Sequence, residues 1–304
     1  MQKIRISKYN WNNIHWSSLQ SKLFKWQQRI YLASKEGNII RVRKLQHLLL
    51  GSEMARLIAV KKVTQDNKGK KTAGVDGVKS LTPNQRLILS QNLQIPQKAS
   101  KLRRVWIAKP GKQEKRPLGI PTIKDRALQC LVKFALEPEW EAKFEPNSYG
   151  FRPGRNAHDA VKAIYDHIIK RSKYALDADI KKCFDSINHE ALLIKIGVKG
   201  NLRKQIQYWL KAGVLDGGIV SNPTEGTPQG GVISPLLANI ALHGMETHLK
   251  NCFQDIKCYT ANDKPIKKNR IADSLAVIRY ADDFVILHDD IKVILRCKEE
   301  VCKF

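Results

Sequence analysis

The sequence is short of acidic residues, and it lacks a long apolar run that could enter a membrane. Only 28 Asp and Glu stand against 54 Lys and Arg in 304 residues, which gives a formal net charge of +26 at neutral pH. The N-terminus has no apolar stretch of signal-peptide length. The 20-residue span free of Asp, Glu, Lys and Arg, 226–245, contains glycines and prolines that would break a bilayer helix, so we expect it to lie inside the protein.

Cysteine pairs at motif spacing are also absent. The six cysteines, at positions 130, 183, 252, 258, 297 and 302, form no CxxC pair and no zinc-finger spacing. This predicts free thiols in a reducing compartment, and it favours the cytoplasm over a secreted or membrane location. A hydrophobic content of 42% with 27% charged residues is typical of a globular chain with a sizeable core, not of a disordered basic tail.

The positive charge is concentrated in the first part of the chain. Residues 1–125 hold 27 Lys and Arg against 6 Asp and Glu, whereas residues 126–304 hold 27 against 22. Such a charge distribution suits a polyanionic partner, and nucleic acid is favoured over a membrane surface because no segment is a lipid-inserting element. The alternative is a charge that serves solubility alone.

Short helices with basic faces are predicted for the N-terminal segment. Apolar residues at spacings of three and four predict the helices. Six cations on their other faces are assigned to RNA binding: Lys22, Lys25, Arg29, Arg41, Arg43 and Lys44. Interleaved tryptophans favour a surface that follows a phosphate backbone. Basic helix faces are also common where cations are simply solvated, and the sequence leaves both interpretations open.

A hairpin and two longer helices are predicted further along the chain. Extended runs at 104–108 and 116–121 are joined by KPGKQEK, whose crowded cations would be stabilised by an anion such as a triphosphate. A solvated loop is the alternative for this tip. One helix is predicted from Lys124 to Leu136, ending before Pro138, and another from Ser234 to Lys250.

Acidic residues gather in two apolar, strand-like contexts. Asp177 and Asp179 are two apart in an extended run, so their side chains point to one face, and Asp282 and Asp283 occupy a tight turn. Carboxylates crowded in this way resist ionisation unless a cation neutralises them, and oxygen ligands suit Mg²⁺. Two such ions about 4 Å apart can activate an attacking 3′-hydroxyl and stabilise a leaving pyrophosphate. Aspartate is also a common turn former, so the turn alone would indicate little.

Six motifs in a fixed order resemble those of the reverse transcriptases encoded by group II introns, often called maturases. They are AGVDG (73–77), KPGKQEKRPLGIPTIKDRALQ (109–129), NSYGFRPGRNAHDAV (147–161), DADIKKCFDSINH (177–189), GTPQGGVISPLLANIAL (226–242) and YADDF (280–284). The resemblance extends from about Trp16 to Leu287. A chance match to YADD is easy, whereas a chance match to all six in order is not.

The resemblance implies a catalytic centre of three aspartates and two Mg²⁺ ions. Asp179 is expected to be the metal-binding aspartate of the first palm motif, Asp282 its partner in YADD, and Asp283 the adjacent supporting carboxylate. Ile180 would offer its backbone carbonyl to the metal.

The same resemblance implies which residues bind the incoming dNTP. Phe184 matches the steric gate that favours dNTP over rNTP. Lys109 and Arg116 match the cations that bind the triphosphate, and Gln229 with Gly230 matches the motif beside the nascent base pair.

The implied fold is α+β, a right-hand polymerase with fingers and a palm in which an antiparallel sheet packs on helices. We expect a basic helical N-terminal extension at 1–72, fingers at 73–170 and a palm at 171–304. In the family, further palm strands and a helical thumb follow, whereas this sequence stops at Phe304, so the thumb is expected to be absent.

The implied function is that of an RNA-directed DNA polymerase that extends primer DNA with dNTPs on an RNA template and binds group II intron RNA for splicing and retrohoming. Two alternatives stay open: a non-catalytic RNA-binding splicing factor that retains the polymerase fold, and a CRISPR-associated reverse transcriptase. No membrane partner is expected. A homodimer through surfaces left bare by the missing thumb stays open, and bacterial cytoplasm is favoured, with an organelle as the alternative.

Overall fold

The chain forms two compact units, Met1–Lys143 with Phe184–Leu237, and Phe144–Cys183 with Ala238–Phe304. The computed structural model describes residues 10–108, 111, 113–221, 224–227, 229–253, 258–259, 265–266 and 269–304, with the backbone alone at 258–259, 265–266 and 269–270.

Helices make up most of the described structure. The α-helices are α1 (Trp16–Lys35), α2 (Ile39–Gly51), α3 (Glu53–Lys61), α4 (Pro83–Asn92), α5 (Ile123–Glu141), α6 (Ala157–Ile168), α7 (Cys183–Ser186), α8 (His189–Ile196), α9 (Gly200–Leu210), α10 (Ser234–Leu242), α11 (Met245–Asn251), α12 (Asn269–Ser274) and α13 (Ile291–Val301). A π-helical turn at Lys62–Asp66 follows α3, and 3₁₀ turns occur at Trp11–Asn13 and Lys68–Lys71. The strands are β1 (Leu102–Ala108), β2 (Lys115–Ile120), β3 (Tyr174–Asp179), β4 (Val214–Asp216), β5 (Ile219–Ser221), β6 (Cys258–Tyr259), β7 (Pro265–Ile266), β8 (Ala276–Tyr280) and β9 (Asp283–His288).

Strand pairing differs between the two units. The first unit has a four-stranded sheet in the order β2-β1-β4-β5, in which β1 and β4 are parallel and the other pairs antiparallel. In the second unit three strands pair antiparallel in the order β3-β9-β8, and β6 with β7 forms a separate two-stranded ribbon.

The three-stranded sheet is covered by helices on both faces. Val277 packs in a cluster with residues of α11 and α13, whereas Ala276 and Ile278 pack with Ala160 of α6. Successive residues of a strand point to opposite faces, so a continuous apolar run is what a strand between two helical layers requires. The predicted α+β class, with an antiparallel sheet packed on helices, is therefore confirmed.

Helix α5 is the element on which the N-terminal helices pack. Helices α1, α2 and α3 all contact it, and most of its side chains are buried. The helix runs through Pro138, so the prediction that it ends before this proline is wrong. Pro138 has no N–H to donate to the carbonyl of Phe134, but Gln27 of α1 donates instead, with Nε2 at 3.2 Å from that oxygen.

The helix predicted from Ser234 to Lys250 is broken in two. Helix α10 ends at Leu242 and α11 begins at Met245, so this prediction is also wrong. Gly244, between them, has a φ of +95°, a left-handed backbone conformation that ends a helix.

The five cysteines with described side chains, Cys130, Cys183, Cys252, Cys297 and Cys302, are free thiols. The prediction of unpaired cysteines is therefore confirmed at these positions. Across the described ranges, no helix has both the length and the apolar character needed to cross a bilayer.

A buried ion pair fixes α5 to α2. Glu139 has 0% of its surface exposed, and its carboxylate accepts hydrogen bonds from Arg43, Gln46 and Lys143. Burial alone would raise the pKa of Glu139, but the hydrogen bond from Lys143 and the charge of Arg43 outweigh burial and lower the pKa below its ordinary value of 4.5. The Arg43 side chain therefore takes part in the packing of α2 on α5.

Glu139→Gln should destabilise the fold by about 1–3 kcal/mol at neutral pH, because Arg43 and Lys143 would lose their charged acceptor. A carboxylate with a lowered folded pKa stabilises the native state above its unfolded pKa, and this contribution is lost as the pH falls through the folded pKa. The stability difference between wild type and variant, measured by urea unfolding, should therefore shrink below pH 4.5.

The matched control is Glu190→Gln, which removes an exposed ion pair with Arg203 at 2.9 Å. Exposed pairs of this kind contribute less than about 1 kcal/mol. If both variants lost the same free energy of unfolding, the buried network would contribute no more to stability than an exposed ion pair.

Candidate active site

The turn between β8 and β9 carries two of the predicted catalytic residues. Tyr280 and Asp283 are cross-strand partners, so Ala281 and Asp282 form a two-residue turn. Ala281 has a φ of +61°, in the left-handed region that two-residue hairpin turns require. Asp282 is half-buried and Asp283 is exposed. The apolar strands on either side hold this turn at the end of the sheet.

Strand β3 brings a third aspartate to the same end. Asp179 is the last residue of β3 and pairs directly with Asp283 of β9. Residues directly opposite in an antiparallel pair project to the same face. The backbone after Asp179 is tied to the turn, because the Ile180 N–H donates to the Asp282 carbonyl at 3.2 Å. The structure thus brings the three aspartates together, while their catalytic roles stay predictions.

The site concentrates negative charge. Partial burial, together with the charges of Asp282, Asp179 and Asp177, raises the pKa of Asp283. Within the part of the chain that the structure describes, none of these four carboxylates takes part in an ion pair. The fold therefore places like charges across β3 and β9 that a bound cation would neutralise.

These oxygen donors fit a divalent cation such as Mg²⁺. The carboxylates of the turn and of β3 are hard ligands, which Mg²⁺ prefers. The Ile180 carbonyl accepts one hydrogen bond, from the Cys183 N–H at 3.1 Å, and keeps a second lone pair.

A different group of metal-type ligands links α11 to α13. His248 Nε2 and Glu300 Oε2 lie 3.9 and 3.7 Å from the Cys252 sulfur. Arg296 and Lys303 each lie 3.0 Å from the Glu300 carboxylate. Because the charge of Glu300 is already compensated by two cations, we interpret these contacts as a tie between the two helices.

One of the two predicted triphosphate-binding residues, Arg116, lies in the β1–β2 hairpin of the first unit. Arg116 is exposed on β2, opposite Ile107 of β1. Lys109 lies outside the described residues. Arg116 is the second residue of β2, so it stands next to the cation-rich connection between the strands.

The predicted gate residue and the glycine-rich loop are joined within the first unit. Phe184 is half-buried in α7, and its carbonyl accepts from the Thr227 N–H at 2.6 Å. Gln229 is half-buried and Gly230 exposed, and the Gln229 carbonyl accepts from the Gly119 N–H of β2 at 2.7 Å. The loop is therefore bonded both to the residue predicted as the gate and to the strand predicted to bind the triphosphate.

Sequence reasoning missed two polar residues that hold this loop. His189 Nε2 lies 2.7 Å from the Gly226 carbonyl, and the Gln129 side chain of α5 accepts from the Val232 N–H at 2.8 Å. His189 and Gln129 are both buried. A polar residue on the apolar face of a predicted helix is the signal that could have identified them.

Five of the six cations assigned to RNA binding are exposed. They are Lys22, Lys25 and Arg29 on α1, and Arg41 and Lys44 on α2. Arg43 is instead half-buried against Glu139. The exposed five leave basic surface on both helices.

Comparison with known proteins gives two family matches. Residues 107–304 match the family described as reverse transcriptase (RNA-dependent DNA polymerase). Residues 11–93 match the family described as the N-terminal domain of reverse transcriptase. The two matches together span most of the described chain, including both units.

The chain covers different shares of the lengths of its individual relatives. Protein YkfC of Escherichia coli (strain K12) is 30% identical, over 94% of this chain and 79% of its own length. The group II intron-encoded protein LtrA of Lactococcus lactis subsp. cremoris is 43% identical, over 48% of this chain and 24% of LtrA, so the matched region is about a quarter of that relative. A solved structure of Candida albicans telomerase aligns with a TM-score of 0.47 and 13% identity, covering 68% of this chain and 39% of that chain.

Asp283→Asn should stabilise the metal-free protein by a few tenths to about 1 kcal/mol, because it removes a like charge directly opposite Asp179. The same change should reduce the stabilisation that Mg²⁺ gives, since a charged ligand is lost. Thermal unfolding in EDTA and in excess Mg²⁺ measures both effects. Asp273→Asn, at an exposed residue of α12, is the control and should alter neither. A lower melting temperature of Asp283→Asn in EDTA, or an undiminished response to Mg²⁺, would contradict this account.

Proposed function

Because the chain belongs to the reverse transcriptase family that includes proteins encoded by group II introns, we propose that it is the core of an RNA-directed DNA polymerase. It would add dNTPs to the 3′-hydroxyl of a primer on an RNA template. The observation that carries the proposal is the pairing of Asp179 with Asp283 beside the Ala281–Asp282 turn. A protein that only binds RNA would gain nothing from crowding carboxylates there, since like charges destabilise the fold.

The aspartates are proposed to hold two Mg²⁺ ions. Asp179 and Asp282 would be the principal ligands, with Asp283 and the Ile180 carbonyl in support. When bound, the ions would activate the primer hydroxyl and neutralise charge on the leaving pyrophosphate. The chain itself holds these oxygens at the end of a sheet that is buried on both faces, so little reorganisation is needed during the reaction.

The first unit is proposed to bind the incoming dNTP. Arg116, with its planar fork of donors, and Lys109 would bind the triphosphate. Phe184 would press on the sugar 2′ position and so disfavour a ribose, and Gln229 with Gly230 would lie beside the nascent base pair. The hydrogen bonds that join the Gln229 loop to Phe184 and to β2 support a shared site for these residues.

The exposed cations of α1 and α2 are proposed to bind RNA, as template or as group II intron RNA during splicing and retrohoming. The description of LtrA as a group II intron-encoded protein supports an intron partner. In this proposal residues 1–72 form the RNA-binding extension, 73–170 the fingers and 171–304 the palm.

Asp282→Asn should lower primer extension on an RNA template by at least about 100-fold, the usual scale for removing one preorganised electrostatic group. Extension with Mg²⁺ and dNTPs gives the rate, and filter binding to the same template should show unchanged RNA affinity. Asp273→Asn, an exposed residue of α12, is the matched control. A wild-type protein that binds RNA but is as inert as Asp282→Asn would favour the non-catalytic RNA-binding function instead.

Phe184→Ala should raise the use of rNTPs relative to dNTPs by about tenfold or more, because a large side chain would no longer exclude the 2′-hydroxyl. The measurement is the ratio of kcat/KM values for a matched rNTP and dNTP. Phe24→Ala, at an exposed phenylalanine of α1, should leave the ratio unchanged. An unaltered ratio in Phe184→Ala would remove this residue from the site.

A further inference from the structure

A buried arginine contacts the turn that carries Asp282. Arg279 lies in β8 and is 3% exposed. Its Nη1 donates to the Ala281 carbonyl at 2.8 Å and to Oδ1 of Asn239 at 3.1 Å, and its Nη2 donates to the Ser148 hydroxyl at 2.6 Å. Burial lowers the pKa of Arg279 to about 10, which leaves the side chain protonated at neutral pH. A single guanidinium thus joins the turn to two other segments of the second unit.

The segment before α6 completes this support. Backbone hydrogen bonds of 2.8 and 2.9 Å join residues 147–149 to Arg279. Asn239, which accepts from Arg279, also donates from Nδ2 to the Gly150 carbonyl at 2.7 Å. Gly150 packs so closely on the turn that a Cβ there would lie 2.3 Å from the Ala281 nitrogen. Arg279, Asn239 and Gly150 therefore contact each other or the turn directly.

The turn needs such support because of its backbone conformation. Alanine rarely adopts a positive φ, and residues in such conformations persist only where the surrounding structure determines them. Ala281 has a φ of +61°, and it is 7% exposed. Asp282 is the next residue, so the direction of its carboxylate depends on the conformation of Ala281.

We propose that Arg279, Asn239 and Gly150 fix the Ala281–Asp282 turn in the conformation that binds a divalent cation, and that Arg279 acts as a positioning residue through its hydrogen-bond geometry and not through its charge. The inference rests on the proposed function for the identity of the cation. It goes further by assigning a role to three residues that do not bind the cation themselves. The guanidinium presents its donors in a fixed plane to several acceptors, which the compact ammonium of a lysine cannot reproduce.

Charge and geometry predict opposite results for cation binding. The positive charge of Arg279 interacts with Asp282, so charge alone would weaken the binding of a cation. Removal of that charge would then tighten binding, and Arg279→Lys would leave it unchanged. If the hydrogen-bond geometry of Arg279 determines the affinity for the cation, Arg279→Lys and Arg279→Met should both weaken binding, since neither side chain has the planar set of donors of the guanidinium.

The test is Mn²⁺ binding to the full chain, followed through the electron paramagnetic resonance signal of free Mn²⁺. Arg279→Lys and Arg279→Met should each bind Mn²⁺ about 10- to 100-fold more weakly than wild type, the range typical of residues that orient metal ligands. Asn239→Ser, a smaller change, should weaken binding in the same direction and add little on top of Arg279→Lys, because both act on one network. Far-UV circular dichroism establishes that each variant is folded under the binding conditions.

The matched control is Arg126→Lys. Arg126 is also buried, and it donates to the Gly69 and Thr72 carbonyls at 2.8 and 2.6 Å in the first unit. Its variant should bind Mn²⁺ as wild type does. An equal loss in Arg126→Lys would reduce the effect to general destabilisation and overturn the proposal.

Three other results would also overturn it: unchanged binding in Arg279→Lys, tighter binding in Arg279→Met, or no binding of Mn²⁺ by the wild type. A wild-type protein that binds Mn²⁺ but extends no primer would instead defeat the proposed polymerase function. In that case the comparison of Mn²⁺ affinities would still decide the role of Arg279.

Discussion

The register of β3 and β9, which is set by apolar packing and holds like charges opposite one another, is the constraint on which the second unit depends. Asp179 faces Asp283, and a slip of one residue would turn every side chain of a strand to the other face. The sheet is packed on both faces, so such a slip would expose apolar residues that each contribute about 1.5–3 kcal/mol when buried. A cross-strand pair of like charges costs only about 0.2–1 kcal/mol. Packing therefore dominates, and the fold tolerates a site that is unfavourable until a cation binds.

The cations of the first unit lie in two kinds of environment. Lys22, Lys25 and Arg29 remain exposed on α1, where a polyanion can reach them. Arg43, by contrast, is bound to the buried Glu139, and Arg126 donates to backbone carbonyls. Net charge therefore indicates the class of partner but overstates the surface that can bind it. A buried acidic residue such as Glu139 therefore removes Arg43 from that surface while it stabilises the helix packing.

The parts of the fold that sequence could predict are those set by near neighbours in the chain. The period of two placed Asp177 and Asp179 on one face of an extended run, and the local sequence placed Asp282 and Asp283 in a tight turn. That these two segments meet was implied by the resemblance carried by the motifs, which also supplied the predicted roles of Phe184 and Gln229. The failures come from distant partners. Gln27 donates to the Phe134 carbonyl, which lacks an N–H donor from Pro138, across 107 positions of the chain, and Arg279 donates to Ser148 across 131. No local pattern contains such contacts, because they exist only once the chain has folded.

Alanine rather than glycine at position 281 shows how the orientation of Asp282 is controlled. Glycine would adopt a φ of +61° without steric cost, but it would also leave the turn free to take other conformations. For alanine the left-handed conformation costs about 1–2 kcal/mol. That cost is offset by buried hydrogen bonds, each contributing about 1 kcal/mol net, such as the one from Arg279 to the Ala281 carbonyl. The turn is then rigid because its alternatives are few and its support is buried. A four-residue motif consequently positions a carboxylate only in a fold that supplies residues such as Arg279, Asn239 and Gly150, which is why YADD alone indicates so little.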